Sequence, residues 1–405
     1  MPIVDLCAEH VDCVNRTAPL VSEPTPFKMI RTTNVRDGFI DAENVRYVSE
    51  PTYKKWTRRL VPKRGDVILT REAPLGDVGK VRTDDMIFLG QRLYHFRPDP
   101  KKLDADFLLY ALMAPDLQGQ IRGFGSGATV EHMRLGDIPS LEVFAPEISL
   151  QHRIAGILSA YDELIENNRR RIRILEEMAR ALYREWFVQF RFPGHEKVKL
   201  VASPLGDIPQ GWEAVAFTDI ADVLSGGTPK TDVPEYWDGE IPFFTPRDVP
   251  ACFYVRETDK HVTEQGLSKC ASELYPPDTV FITARGTVGK VALPSVPMAM
   301  NQSCYALRGQ IDIPQRFLFL MTLQQVDYLK TNTGGATFDT IVVDTFRRMQ
   351  VVKPPRDLIA RFARQTDAIF EQVNNLERQT ANLRRTRDLL LPRLLSRQVE
   401  LSNMK

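Results

Sequence analysis

Three groupings in this 405-residue sequence have the residue types that chemistry requires, and each stops short of it. Cys7, His10 and Cys13 could gather around zinc, yet no fourth ligand stands at a usual spacing. Gly76 to Lys80 and Gly286 to Lys290 resemble the end of a phosphate-cradling loop. Such a loop needs a glycine five positions before the Gly-Lys pair, where Pro74 and Ala284 stand, and a Ser or Thr after it, where Val81 and Val291 stand. A structural turn is the better reading of both. An adenine methyltransferase would need an Asn/Asp-Pro-Pro-aromatic motif, and Pro276-Pro277 and Pro354-Pro355 lack that context. The six histidines form no constellation with Ser or Cys that could build a nucleophile. The chain therefore reads as non-catalytic, with no metal or cofactor of its own.

The two Gly-Lys segments belong to a larger duplication. Val67-Ile68-Leu69-Thr70 precedes the first as Val280-Phe281-Ile282-Thr283 precedes the second. Each predicts a β-branched strand, a turn with glycines at positive φ, and a second short strand. Gly127-Ala128-Thr129 returns as Gly335-Ala336-Thr337, 208 positions on. The same offset links two long apolar stripes: Ile154, Leu158, Tyr161, Ile165, Asn168, Ile172, Leu175, Ala179, Leu182 and Trp186 match Phe362, Thr366, Ile369, Val373, Leu376, Thr380, Leu383, Arg387, Leu390 and Leu394. Alternating steps of four and three keep each series on one seam of a helix roughly 50 Å long. A seam sustained this far predicts an antiparallel coiled coil between the two helices, with the two blocks related by a pseudo-twofold axis. Asn168 is expected to face Thr380, and Tyr161 to approach Arg387. Pro392 lies inside the second stripe, so that helix is expected to kink or end there, leaving Leu394 off the seam. Arg169-Arg170-Arg171 with Arg173 reads as a solvated face or a surface for phosphates.

The fold class is therefore α+β, two similar blocks separated by two long helices. The expected boundaries are 1–150 for the first block, 151–190 for the first helix, 191–206 for a Pro- and Gly-rich linker, 207–355 for the second block and 356–400 for the second helix. Helical pieces are also expected from Asp106 to Met113 and from Gln315 to Leu323. No apolar run approaches the ~18 residues that span a bilayer, and the first residues lack the pattern of a signal peptide. Five scattered cysteines (Cys7, Cys13, Cys252, Cys270 and Cys304) fit a reducing cytoplasm. A net charge of +1 means that any nucleic-acid binding must use local basic surface.

The chain resembles the specificity subunits of Type I restriction–modification enzymes over nearly its whole length. The resemblance rests on Leu205-Gly206-Asp207-Ile208-Pro209-Gln210-Gly211-Trp212, on Asp278 to Val291, on Gln151-His152-Arg153-Ile154-Ala155-Gly156-Ile157-Leu158 through Leu175, and on Arg387-Asp388-Leu389-Leu390-Leu391-Pro392. It implies two target-recognition domains that each read half of a split DNA sequence, spaced by the coiled coil. It also implies bacterial or archaeal cytoplasm and two methyltransferase subunits docked on the chain. A restriction motor subunit joins them, and the partners, not this chain, use S-adenosylmethionine, ATP and magnesium. One departure is visible: the first block lacks the Gly211-Trp212 opening, so its first strand is expected to be shortened or differently capped.

Base reading uses Arg for guanine and Asn or Gln for adenine, with Lys and Thr on phosphates. The candidates are Lys54, Lys55, Arg58, Arg71, Gln91 and Arg92 in the first block, and Lys230, Thr231, Arg247, Arg285, Asn301 and Gln302 in the second. Gln91 and Gln302 hold matching positions, which suits a shared structural hydrogen bond as readily as a base contact. Ser126-Gly127 and Gly334-Gly335 read as backbone turns. Two rival functions are a coiled-coil scaffold that binds proteins rather than DNA, and an enzyme with its own methyltransferase or nuclease activity.

Overall fold

A computed structural model describes residues 1–125, 131–332 and 340–396, so both Gly-Ala-Thr segments lie outside the described residues. The chain divides into two compact units, Met1–Ile165 with Asn382–Lys405, and Glu166–Ala381. The division falls inside both long helices, Ile148–Tyr183 and Arg356–Leu395, because each unit uses a stretch of both as one wall of its core. Among the described residues no helix is long and apolar enough to cross a membrane.

In the first unit the main sheet has the order Cys7–Asp12, Leu93–Pro98, Val67–Arg71, Leu75–Lys80, all antiparallel. A second sheet places Phe27–Ile30 between Arg46–Tyr47, antiparallel, and Met86–Leu89, parallel. The helices Ala105–Met113 and Pro115–Gly123 cover the main sheet, and Asp104 caps the first of them by accepting from the Phe107 N–H. Beneath them Val67, Leu69, Phe96, Phe107 and Leu108 form one core with Ile154 and Leu158 of the first long helix and Leu391 and Leu394 of the second. Each such side chain contributes ~1.5–3 kcal/mol by leaving water.

The second unit repeats this plan strand for strand. Its main sheet has the order Ala221–Ser225, Cys304–Gly309, Val280–Thr283, Val291–Pro294, with Tyr254–Val255 added in parallel at the edge. Its second sheet places Trp237–Phe244 between His261–Val262, antiparallel, and Ala299–Met300, parallel. The helix Gln315–Asn332 backs the sheet. The core is strongly aromatic: the Phe187 ring lies 4.9 Å from Phe362, 5.1 Å from Phe317 and 5.9 Å from Trp212.

The long helices run antiparallel where each unit pairs them. Trp186 meets Phe362, ring centroids 5.5 Å apart, in the second unit, and Asp162 meets Arg387 in the first. All the seam positions named above are buried or half-buried, Asn168 and Thr380 included. Arg387 pairs with Asp162, the residue next to Tyr161, because a guanidinium buried in the seam needs a counter-ion. One expectation is corrected. The second helix does not end at Pro392: it continues to Leu395, and Leu394 is buried in the core. Proline this close to a helix end sacrifices little, and its own carbonyl still accepts from Ser396 N. The Arg169 and Arg170 side chains reach toward Glu166, as on a solvated face.

The first long helix begins at Ile148 and passes into a π-helical turn at Arg184–Val188. The stretch expected as a linker contains a strand, Leu200–Ser203, that forms a hairpin with Gly206–Pro209. The departure at the first block's opening also has a structural form. In the second unit Glu213–Ala216 pairs along four residues with Gln350–Lys353, whereas in the first a single bridge joins Pro2 to Glu142.

Candidate nucleic-acid interface

One end of each main sheet gathers loops rich in hydrogen-bonding side chains. In the first unit Arg71 closes the strand Val67–Arg71, and its N–H donates to the Arg92 carbonyl at 2.8 Å. Its Nη1 donates to the Met133 carbonyl at 2.9 Å. Arg92 stands in the left-handed region (φ 70°), and its Nε lies 3.1 Å from a Glu72 oxygen. Gln91 is exposed at the tip of the same turn. The loop after Phe27–Ile30 joins this cluster: Gly90 N donates to the Ile30 carbonyl at 2.7 Å, and the Thr32 hydroxyl to the Ala73 carbonyl at 2.9 Å. Lys54, Lys55 and Arg58 belong to a separate element, at or just after the helix Glu50–Trp56. Lys54 pairs with Glu50 at 2.7 Å, and the Lys55 ammonium lies 5.7 Å from the centre of the Trp56 ring.

The second unit uses the same frame. Ala284 N donates to the Ser303 carbonyl at 2.7 Å, and Asn301 N to the Phe244 carbonyl at 2.9 Å. Asn301 and Gln302 thus share one place with the exposed Arg285 and with the loop that carries Arg247. The loop leading to Lys230 and Thr231 is laid against this turn: Gly227 N donates to the Met300 carbonyl, and the Thr228 hydroxyl to Gln302 Oε1. The approach requires glycine, because a Cβ on Gly226 would collide with the Asn301 carbonyl. Lys230 and Thr231 are both exposed.

Sequence reading gave no loop-shaping role to the residues that hold these turns. Asn34 Oδ1 accepts from Arg31 N at 3.0 Å, and Asp248 Oδ2 from Thr245 N at 2.8 Å. The two segments, Arg31-Thr32-Thr33-Asn34 and Thr245-Pro246-Arg247-Asp248, therefore hold the same turn at the same point of the fold. Thr70 and Thr283 match as well: their hydroxyls accept from Asp77 N at 2.8 Å and Lys290 N at 3.0 Å. An acidic or amide residue four positions after a strand end was the available signal.

The polar groups behind the loops are fixed and paired. Burial raises the Asp66 pKa, but hydrogen bonds from His95 at 2.6 Å and Arg97 at 2.8 Å outweigh it and hold the carboxyl below its usual range. The two Gly-Lys segments are hairpins, with Gly76, Gly286 and Gly289 at positive φ and Lys80 paired with Asp106. His10 shares a hydrogen bond of 2.7 Å with the Tyr94 hydroxyl. Burial pushes the Cys7 and Cys304 thiols up to about 12, so both are protonated at neutral pH. What the loops offer is a set of guanidinium, amide and hydroxyl groups suited to base edges and phosphates.

The model of the Type I restriction modification DNA specificity domain matches residues 27–177 and again 209–380. The Type I restriction enzyme MjaIX specificity subunit of Methanocaldococcus jannaschii is 23% identical over 354 residues, covering 86% of this chain and 81% of the relative. The HindI specificity subunit of Haemophilus influenzae is 21% identical over 405 residues, covering 83% and 87%. The crystal structure of a Type I restriction-modification system S subunit from M. genitalium shares the fold, with TM-score 0.54 at 18% identity over 97% of this chain and 95% of that one. With the specificity domain present twice and four-fifths of its length matched, the chain belongs to the Type I restriction modification DNA specificity family.

Proposed function

We propose that the chain is the non-catalytic, sequence-reading subunit of a Type I restriction–modification complex. Each unit reads one half of a split duplex target, and the chain presents an adenine in each half to partner methyltransferase subunits. A restriction motor subunit joins the same assembly. S-adenosylmethionine, ATP and magnesium belong to those partners, and the target base is flipped into a methyltransferase pocket. The work is done in the cytoplasm of a bacterial or archaeal cell.

The observation that carries this reading is the duplicated loop frame: the same backbone bonds hold Arg71 to Arg92 and Ala284 to Ser303, yet the side chains on the two frames differ. Two readers of one design with different side chains call for two different half-sites, an asymmetric target. The test is methylation mapping of DNA from cells carrying the chain with its methyltransferase, against cells lacking the chain. A split motif with modified adenines in both halves, present only with the chain, is the expected result. A working methyltransferase without a chain-dependent motif would refute it.

A further inference from the structure

Superposing the two loop frames bond by bond aligns positions that the fixed sequence offset does not. Gly90 N to the Ile30 carbonyl matches Asn301 N to the Phe244 carbonyl, which sets Arg31 opposite Thr245. The Asn34 and Asp248 turns fix the same alignment independently. Arg71 N to the Arg92 carbonyl matches Ala284 N to the Ser303 carbonyl. Met133 N donates to the Arg71 carbonyl at 2.9 Å as Ile341 N donates to the Ala284 carbonyl at 2.9 Å, so Arg71 stands opposite Ala284. The first unit thus carries two arginines where the second carries Thr and Ala.

Those two arginines share a second property. Arg31 and Arg71 each have a buried Nε that meets no hydrogen-bond acceptor among the described residues. A charged donor buried without a partner is costly, and the cost is recovered when the side chain swings out to an acceptor. Both residues adjoin the turn 90–92, and the Thr32 hydroxyl ties the Arg31 loop to Ala73, two residues after Arg71. Neither frame contact uses either Nε. The planar guanidinium fork matches the O6 and N7 acceptors that guanine presents in the major groove.

We propose that Arg31 and Arg71 are the base-reading pair of the first unit, that they demand guanine in the half-site it reads, and that the second unit, with Thr245 and Ala284, reads its half without that demand. The proposal rests on the reading of the chain as a two-headed DNA specificity subunit. The test uses the complex of the full chain with its methyltransferase, selecting from duplexes randomised in both halves, for the parent chain and for Arg31→Lys and Arg71→Lys. Lysine keeps the charge, and can still reach the Met133 carbonyl, but has no bidentate fork.

The parent is expected to select guanine in one half, and each variant to lose roughly five- to hundred-fold of that discrimination with the other half unchanged. Thr245→Arg is expected to add a preference for guanine to the second half. A parent motif without guanine in the first unit's half overturns the proposal. So do lysine variants that keep full discrimination, or variants that weaken binding to all sequences alike, the sign of a contact that reads no base. A parent complex that selects no split motif refutes instead the reading on which the proposal rests.

Discussion

Arg387→Met removes the guanidinium that neutralises Asp162 in the interior of the first unit. Asp162 is 2% exposed and Arg387 4%, and their bond spans 2.6 Å between Nη1 and Oδ1. Burial alone lowers the Arg387 pKa, but the hydrogen bond and charge of Asp162 outweigh it and raise it. Breaking one side of a buried pair costs ~3–5 kcal/mol, because the other charge stays behind unpaired. Here the Tyr110 hydroxyl still donates to Asp162 at 2.7 Å, and Arg82 Nη2 stands 3.8 Å away, so ~3 kcal/mol is expected. Asp162→Asn should cost less, ~1–2 kcal/mol, because Arg387 keeps the exposed Asp388 at 2.9 and 3.0 Å and Tyr110 keeps an acceptor. The double variant should cost less than the two single losses added together, since neither charge is then stranded. Hydrogen exchange of the full chain, read on peptides of 105–123 and 382–396 against 278–294 as an internal reference, localises the effect. Additive single losses, or exchange that rises equally in the reference peptides, would refute the reasoning.

In the second unit Glu176, 4% exposed, accepts from Phe253 N at 2.5 Å between Arg180 and Glu377, and burial pushes its carboxyl up from 4.5 to about 7. Its folded pKa lies above the unfolded one, so the fold holds an extra proton between those values and its stability falls by about 3 kcal/mol as pH rises through the window. Glu176→Gln should flatten that slope and leave the variant more stable than its parent above pH 7 in denaturant titrations; a slope like the parent's contradicts this. Thr380, 1% exposed, has a hydroxyl with no partner among the described residues, so Thr380→Val should be neutral or raise stability by ~1 kcal/mol in thermal unfolding. A loss above that size would mean the hydroxyl is bonded. Asp248 accepts from Thr245 N, Thr245 Oγ1 and Asp259 N, so Asp248→Ala should cost ~1–2 kcal/mol and loosen selection along the whole second half-site. Relaxation at one base only would assign Asp248 to direct reading.

The long helices were legible because a seam must repeat every few residues whatever it packs against, and strand-turn-strand pairs were legible because glycine marks positive φ. The equivalence of Arg31 with Thr245 was not, because the offset between repeats slides. It is 208 at Met133 and Ile341 but 213 at Thr70 and Thr283 and 214 at Arg31 and Thr245, since the blocks carry insertions at different points. A search at 208 positions sees only the part nearest the helices. Gln151, Asp162 and Glu176 escaped for another reason. They lie off the seam on the helix flank that faces their own block, and their partners are remote in sequence: Lys102 and Asp104 for Gln151, Tyr110 and Arg387 for Asp162, Phe253 for Glu176. Heptad counting registers only the seam positions, and none of the three is one. Arg387 holds a seam position among apolar neighbours, and it is buried there because Asp162 neutralises it.

The bonds that hold each loop come mostly from backbone groups and from short side chains such as Asn34, Asp248, Thr70 and Thr283 that point into the frame, with Arg71 Nη1 on the Met133 carbonyl as a longer exception. Arg285, Gln91 and Arg247 point outward from it and are exposed. Substitutions at outward positions therefore leave the loop's shape, and most of its stability, to the residues that point inward. The frame occurs twice with different side chains on it, Arg31 and Arg71 in the first unit and Thr245 and Ala284 in the second. Each unit also walls its core with its own stretch of both long helices, Ile154, Leu158, Leu391 and Leu394 in one and Ile172, Ala179, Phe362 and Val373 in the other. The side chains that wall one core are thus different from those that wall the other, although both sets stand on the same two helices.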